Sequence, residues 1–132
     1  MYSQQAIQSY AQIDLESSVL NASPWQLVAL LFSGAQSALK KAQLLMARGE
    51  IVGKGEALTK AISIISGGLQ HGLDHSVNPA LCQNLDNLYD YMVRRLLHAN
   101  LHNDTAAITE VATLLETLSS AWNEINPQQE TR

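Results

Sequence analysis

The chain has 132 residues, 46% of them hydrophobic and only 15% charged, with a net charge of −4. That length suits one domain with a self-sufficient core, and so apolar a composition excludes disorder throughout. The acidic balance argues against nucleic acid or anionic lipid as the main partner, leaving at most a local basic spot around Arg94 and Arg95.

Residues 1–22 have neither a basic n-region nor an apolar h-region, so no secretory signal is expected. Ile7, Tyr10, Ala11, Ile13, Leu15 and Val19 are apolar anchors scattered among glutamines and serines. The expectation is a docking arm, extended or briefly helical. Tyr2 and Tyr10 lie where no local core exists, and an aromatic there reads as an anchor dropped into a pocket. Ile7 and Tyr10, spaced i,i+3, can dock together.

A helical bundle is expected over residues 23–126. Ser23-Pro24-Trp25-Gln26 reads as a helix start, with Ser23 as N-cap, Pro24 at the first helical position and Gln26 completing a capping box. The helix should run to about Arg48, with Leu27, Leu30, Leu31, Ala35, Ala38, Ala42 and Leu45 as its seam. Gly34 would permit close approach of a neighbour, and Gly49 is a natural stop. A second helix is expected from Ile51 or Lys54 to Leu73, nearly two-sided in its apolar surface, with Ile64 and Ile65 at its middle. Gly67 and Gly68 mark a packing notch or an early fray.

Asp74–Asn78 reads as a turn, and Asn78-Pro79 repeats the cap-plus-proline signal. The third helix should reach about Leu101. Leu81, Leu85, Leu88, Met92, Leu96 and Ala99 recur at threes and fours and define its seam, with Tyr89, Val93 and Leu97 beside it. This apolar band is wider than one neighbouring helix needs, so the helix is either central or awaits a partner. Of Tyr89 and Tyr91, at most one suits the core, and Asp90 with Arg94 makes a favourable i,i+4 pair. Asn103 or Asp104 should cap a last helix to about Ile125, with Ile108, Val111, Leu115, Leu118, Trp122 and Ile125 facing inward. A polar tail follows from Pro127, so residues 127–132 read as disordered. No apolar run reaches the roughly 18 residues needed to span a bilayer. The fold class is all-α: an antiparallel up-down four-helix bundle with a short N-terminal arm.

Reactive chemistry is sparse. His71 with His75, and His98 with His102, have i,i+4 metal-ligand spacing, but no cysteine or carboxylate cluster completes either pair. There is no Glu-x-x-His pair and no phosphate-binding loop. Cys82, the lone cysteine, suits a small buried apolar role and a reducing compartment. The reading is a non-enzyme with no metal and no cofactor. His71 as a phosphoryl acceptor is disfavoured by Asp74 close behind it.

The ordered set Ser23-Pro24, Gln26-Leu27, Leu31-Phe32, Gly34-Ala35, Gly55-Glu56, Lys60-Ala61, Ile64-Ile65, Gly72-Leu73-Asp74, Leu88-Tyr89-Asp90-Tyr91-Met92, Arg94-Arg95-Leu96-Leu97, Ala99-Asn100-Leu101 and Ala121-Trp122 resembles the FliS family, over almost the whole length. The turn His75-Ser76-Val77-Asn78-Pro79 departs from the glycine-glycine-acidic turn of that family. The resemblance implies a cytoplasmic export chaperone that binds the disordered C-terminal segment of flagellin, prevents its polymerisation and passes it to the flagellar type III export apparatus. An amphipathic client would coil against apolar grooves, with its ordering entropy limiting affinity. The residues expected to meet it are Ile7, Tyr10, Leu31, Ile64, Ile65, Tyr89, Met92 and Leu96. The N-terminal arm would cover part of that surface when the client is absent. Two alternatives stay open: a self-associating bundle whose spare apolar face makes a homodimer, and a histidine phosphotransfer domain.

Overall fold

The computed structural model describes Tyr2 and residues 22–125. Ile7 and Tyr10 lie outside the described residues, as does the segment from 126 onward. Among the described residues four α-helices form an antiparallel up-down bundle: α1 (Pro24–Ala47), α2 (Ile51–Ser63), α3 (Pro79–His102) and α4 (Thr105–Glu124). The helices close a ring, each packing on the next and α4 returning to α1.

The start of α1 is fixed by the expected capping box. The Ser23 hydroxyl accepts from the Gln26 amide at 3.2 Å, and the Gln26 side chain accepts from the Ser23 amide at 2.8 Å. These bonds satisfy two of the orphan donors at the helix N-terminus. Gly49 ends the helix in a left-handed conformation, φ 72°. A close approach at a glycine is found at Gly53. A Cβ there would lie 2.9 Å from a Leu45 methyl, so glycine lets the first turn of α2 close on the last turn of α1.

The second element departs from expectation. The α-helix stops at Ser63, and Ile64–Gln70 continues as a π-helix, with the His71 amide bonded to the Ser66 carbonyl. The glycine pair expected as a notch or fray lies inside this wider turn. Ile64, Ile65, Gly68 and Leu69 are all buried. An α-helix would also group these positions on one face, which is why apolar periodicity cannot tell the two geometries apart. The segment ends with the Gln70 amide donating at 2.7 Å to the carboxylates of both Asp86 and Asp90 on α3. Asp90 therefore pairs across helices rather than with Arg94.

On α3 the buried seam is rotated from the one read in the sequence. Cys82, Tyr89 and Leu96 step by seven and alternate with Leu85, Met92 and Ala99. Leu81 is exposed, and Leu85 and Leu88 are only partly buried. Cysteine and tyrosine carry a weaker burial signal than leucine, so the spacing assigns Leu81 and Leu88 to places that Cys82 and Tyr89 take. Tyr89 is the core tyrosine. Tyr91 stands half-buried and donates to Glu110, which also accepts from Arg95 Nε at 2.8 Å. Both bonds tie α3 to α4.

Asn78 caps α3 as expected, accepting from the Leu81 amide at 3.2 Å. At its other end Asn103 takes φ 52°, and Asp104 accepts from the Ala107 amide to begin α4. Lys54 of α2 holds this corner. It is 2% exposed, and its ammonium donates to the Asn100 carbonyl at 2.8 Å and the Asn103 side-chain oxygen at 2.7 Å. A cation at a helix C-terminus meets the negative end of the macrodipole, which offsets part of the cost of burying it. No described helix is long and apolar enough to cross a membrane.

Candidate functional site

The surplus apolar surface of α3 divides between its two ends. Near the C-terminus, Leu97 and Leu101 are 55% and 78% exposed, and Leu44, Ile51 and Val52 are exposed on α1 and α2. Near the N-terminus, Leu81, Leu85 and Tyr89 line a cavity of about 250 Å³. Phe32 of α1, and Leu118, Ala121 and Trp122 of α4, form its other walls, with Ile125 at the edge.

Tyr2 forms a further wall of this cavity. Its ring meets Trp122 edge-on at 5.6 Å, and its hydroxyl shares a 2.7 Å hydrogen bond with that of Tyr89. Its backbone forms an isolated antiparallel bridge to Leu73, just after the π-helix. The anchor expected of the arm is thus present at Tyr2. Burial pushes the Tyr2 phenol far above its usual range and lifts Tyr89 to about 12. Both hydroxyls stay protonated at any physiological pH, so the site is uncharged.

The wall is fixed by two tryptophans. Trp25 Nε1 donates to the Trp122 carbonyl at 3.0 Å, and Trp122 Nε1 donates to the Trp25 carbonyl at 3.1 Å. Their rings stack nearly parallel, 6.5 Å apart. The pair joins the start of α1 to the end of α4 beside the cavity.

A larger groove of about 550 Å³ runs between α1 and α4, but its lining is polar. The hydroxyls of Thr109, Thr113 and Thr117 each bond the carbonyl four residues back, and Gln36 donates to the Ala112 carbonyl. These donors are spent within the bundle, and the remaining lining, with Ser33, Ser37 and Lys40, is hydrophilic. The Tyr2 cavity is therefore the better candidate for an apolar ligand.

Among the described residues, no three histidine, cysteine or acidic side chains gather as a metal site would require. His98 pairs with Asp104 at 3.2 Å and its ring lies 4.6 Å from that of His102. The buried Cys82 thiol donates to the Asp74 carbonyl.

Of the residues singled out from the sequence, Tyr89 lines the cavity. Leu31, Ile64, Ile65, Met92 and Leu96 are fully buried in the bundle core. Phe32, Leu118 and the Trp25–Trp122 pair belong to the site without having been named for it. The available signal was a tryptophan near one end of each of two helices that an up-down bundle brings side by side.

The family model described as flagellar protein FliS matches residues 6–129. A flagellar secretion chaperone FliS from Salmonella typhimurium is 52% identical over 128 residues, covering 97% of this chain and 95% of the relative. Its Escherichia coli counterpart is 50% identical over 124 residues, covering 94% and 91%. A Bacillus subtilis protein of the same name is 31% identical over 119 residues, covering 90% and 87%. With identity of this extent along nearly the full length of both partners, the chain belongs to the FliS family.

Proposed function

We propose that this protein is a cytoplasmic flagellar export chaperone, without enzymatic activity, that binds the disordered C-terminal segment of flagellin. It holds that segment away from polymerisation and delivers it to the flagellar export apparatus. The observation that carries the reading is the apolar cavity that stays open beside a single tyrosine from the chain's own N-terminus, seated on Trp122 and Tyr89. A site that accepts one aromatic anchor from an extended segment is suited to anchors from another.

In this reading Tyr89 contacts the client, and Ile7 and Tyr10 belong with Tyr2 to an arm that competes for the site. Leu31, Ile64, Ile65, Met92 and Leu96 are core residues that a client reaches only if the helices part. Neither alternative gains support. His71 follows a π-helix rather than standing mid-helix as a phosphoryl acceptor would, and the matched relatives are named as secretion chaperones rather than as structural bundles.

Calorimetric titration with a flagellin C-terminal peptide tests the proposal. Micromolar or tighter binding with a negative heat-capacity change is expected from apolar burial. Absence of binding at micromolar concentrations sinks the chaperone reading.

A further inference from the structure

The cavity is apolar except at one point. Tyr89 is 1% exposed, and its hydroxyl bonds only that of Tyr2 among the described residues. Apart from Tyr2, every other described side chain that lines the cavity is hydrocarbon or an indole. While Tyr2 is seated, both hydroxyls are satisfied. An occupant that displaces Tyr2 covers the Tyr89 hydroxyl again, and if it brings no donor or acceptor it leaves a buried polar group with no partner. Such a group costs more than the bond contributed while it was made. The pocket therefore does not accept all apolar occupants equally. An occupant with only hydrocarbon at this point leaves the hydroxyl orphaned, whereas one with a donor or acceptor there restores the bond.

Resting on the chaperone reading above, we infer that Tyr89 is a specificity-determining residue, which selects client segments that place a hydrogen-bonding side chain against its hydroxyl within an otherwise apolar anchor. Tyr2 itself is the template: an apolar body against Trp122 with a polar tip on Tyr89. The side chains that fit are tyrosine, threonine, serine, asparagine or glutamine. A charged tip is excluded, because the cavity offers no counter-charge to a buried ion. Specificity of this kind is strong for the reason that a site built around a hydrogen bond penalises the analogue that lacks it.

The test uses the full chain and its Tyr89→Phe variant, titrated with a flagellin C-terminal peptide and a series of single substitutions. In the series each serine becomes alanine, each threonine valine, each asparagine leucine, each glutamine methionine and each tyrosine phenylalanine. One position is expected to lose about five- to a hundredfold in affinity for the native chain and less than about twofold for Tyr89→Phe. Circular dichroism checks that the variant is folded. If it is not, Tyr2→Phe/Tyr89→Phe takes its place, since removing both hydroxyls leaves no orphan. Equal losses in native and variant proteins at every position would overturn the assignment of Tyr89 while leaving the chaperone reading intact. Failure of the parent peptide to bind the native chain overturns the chaperone reading itself, and this inference with it.

Discussion

Trp25 and Trp122 exchange indole N–H bonds with each other's backbone carbonyls, at 3.0 and 3.1 Å, across 97 residues of sequence. Each side chain thus fills one partner's carbonyl and uses its own donor, and the two stacked rings cover the join. Trp25→Phe removes one of these bonds and leaves the Trp122 carbonyl with only the Ile125 amide, at 3.2 Å. A loss of about 1 kcal/mol is expected, or about 3–5 °C in Tm, measured by thermal unfolding. An unchanged Tm would mean that water replaces the lost bond at no cost.

Lys54 sets a second prediction. Lys54→Met keeps the stem and removes the buried charge, but it orphans the Asn100 carbonyl and the Asn103 side chain. The orphaned acceptors outweigh the relief of burying no cation, because the methionine thioether has no donor to offer them. A net loss of about 1–3 kcal/mol is expected in denaturant unfolding. Faster amide exchange at the α3–α4 corner should accompany it.

The pH dependence follows from the paired tyrosines. Tyr89 is raised to about 12 in the fold and Tyr2 is raised further, both by burial, from about 10 in the unfolded chain. The protonated forms are the ones the fold favours. Their contribution is complete below about pH 10 and is lost as pH rises toward and through the folded values. Denaturant midpoints measured across this window should fall with pH in the native chain. They should fall less in Tyr2→Phe/Tyr89→Phe. Equal slopes in the two proteins would assign the alkaline loss elsewhere.

At acid pH the sign reverses. Glu110 is held below its usual range by hydrogen bonds from Tyr91 and Arg95. Its contribution is present above the ordinary glutamate pKa and is lost as pH falls through the lowered one. Glu110→Gln should flatten the acid limb of the stability curve, and an unaltered limb would show that the Tyr91–Glu110–Arg95 tie is too solvated to matter.

The arm provides the most direct functional prediction. If Tyr2 and the client compete, Tyr2→Ala should bind a flagellin C-terminal peptide about three- to tenfold more tightly, because less of the protein sits in the closed state. Deleting residues 1–15 should do at least as much. Unchanged affinity in both would show that the arm is not a competitor.

The helices were legible because their signals are local. Ser23-Pro24-Trp25-Gln26 and Asn78-Pro79 fix two helix starts by hydrogen bonds within one turn, and the three-and-four spacing of leucines shows the faces. The π-helix was hidden because its apolar positions also suit an α-helix. The cavity was hidden for a different reason. It is assembled from Tyr2, Phe32, Leu85, Leu118 and Trp122, which are brought together only by the return of α4 to α1. Tyr89 shows both limits at once. Its spacing put it beside the leucine row, and only the packed structure shows it buried with its hydroxyl on a residue 87 positions away.

The chain has two tryptophans, and both belong to the join beside the cavity. Tryptophan fluorescence of this protein therefore arises from one place, with Trp122 in ring contact with Tyr2 and lining the space an incoming segment would fill. A change in emission colour or quenching on adding a peptide reads occupancy of that space without any attached dye, and its time course follows the departure of Tyr2. Native emission makes the site its own optical probe.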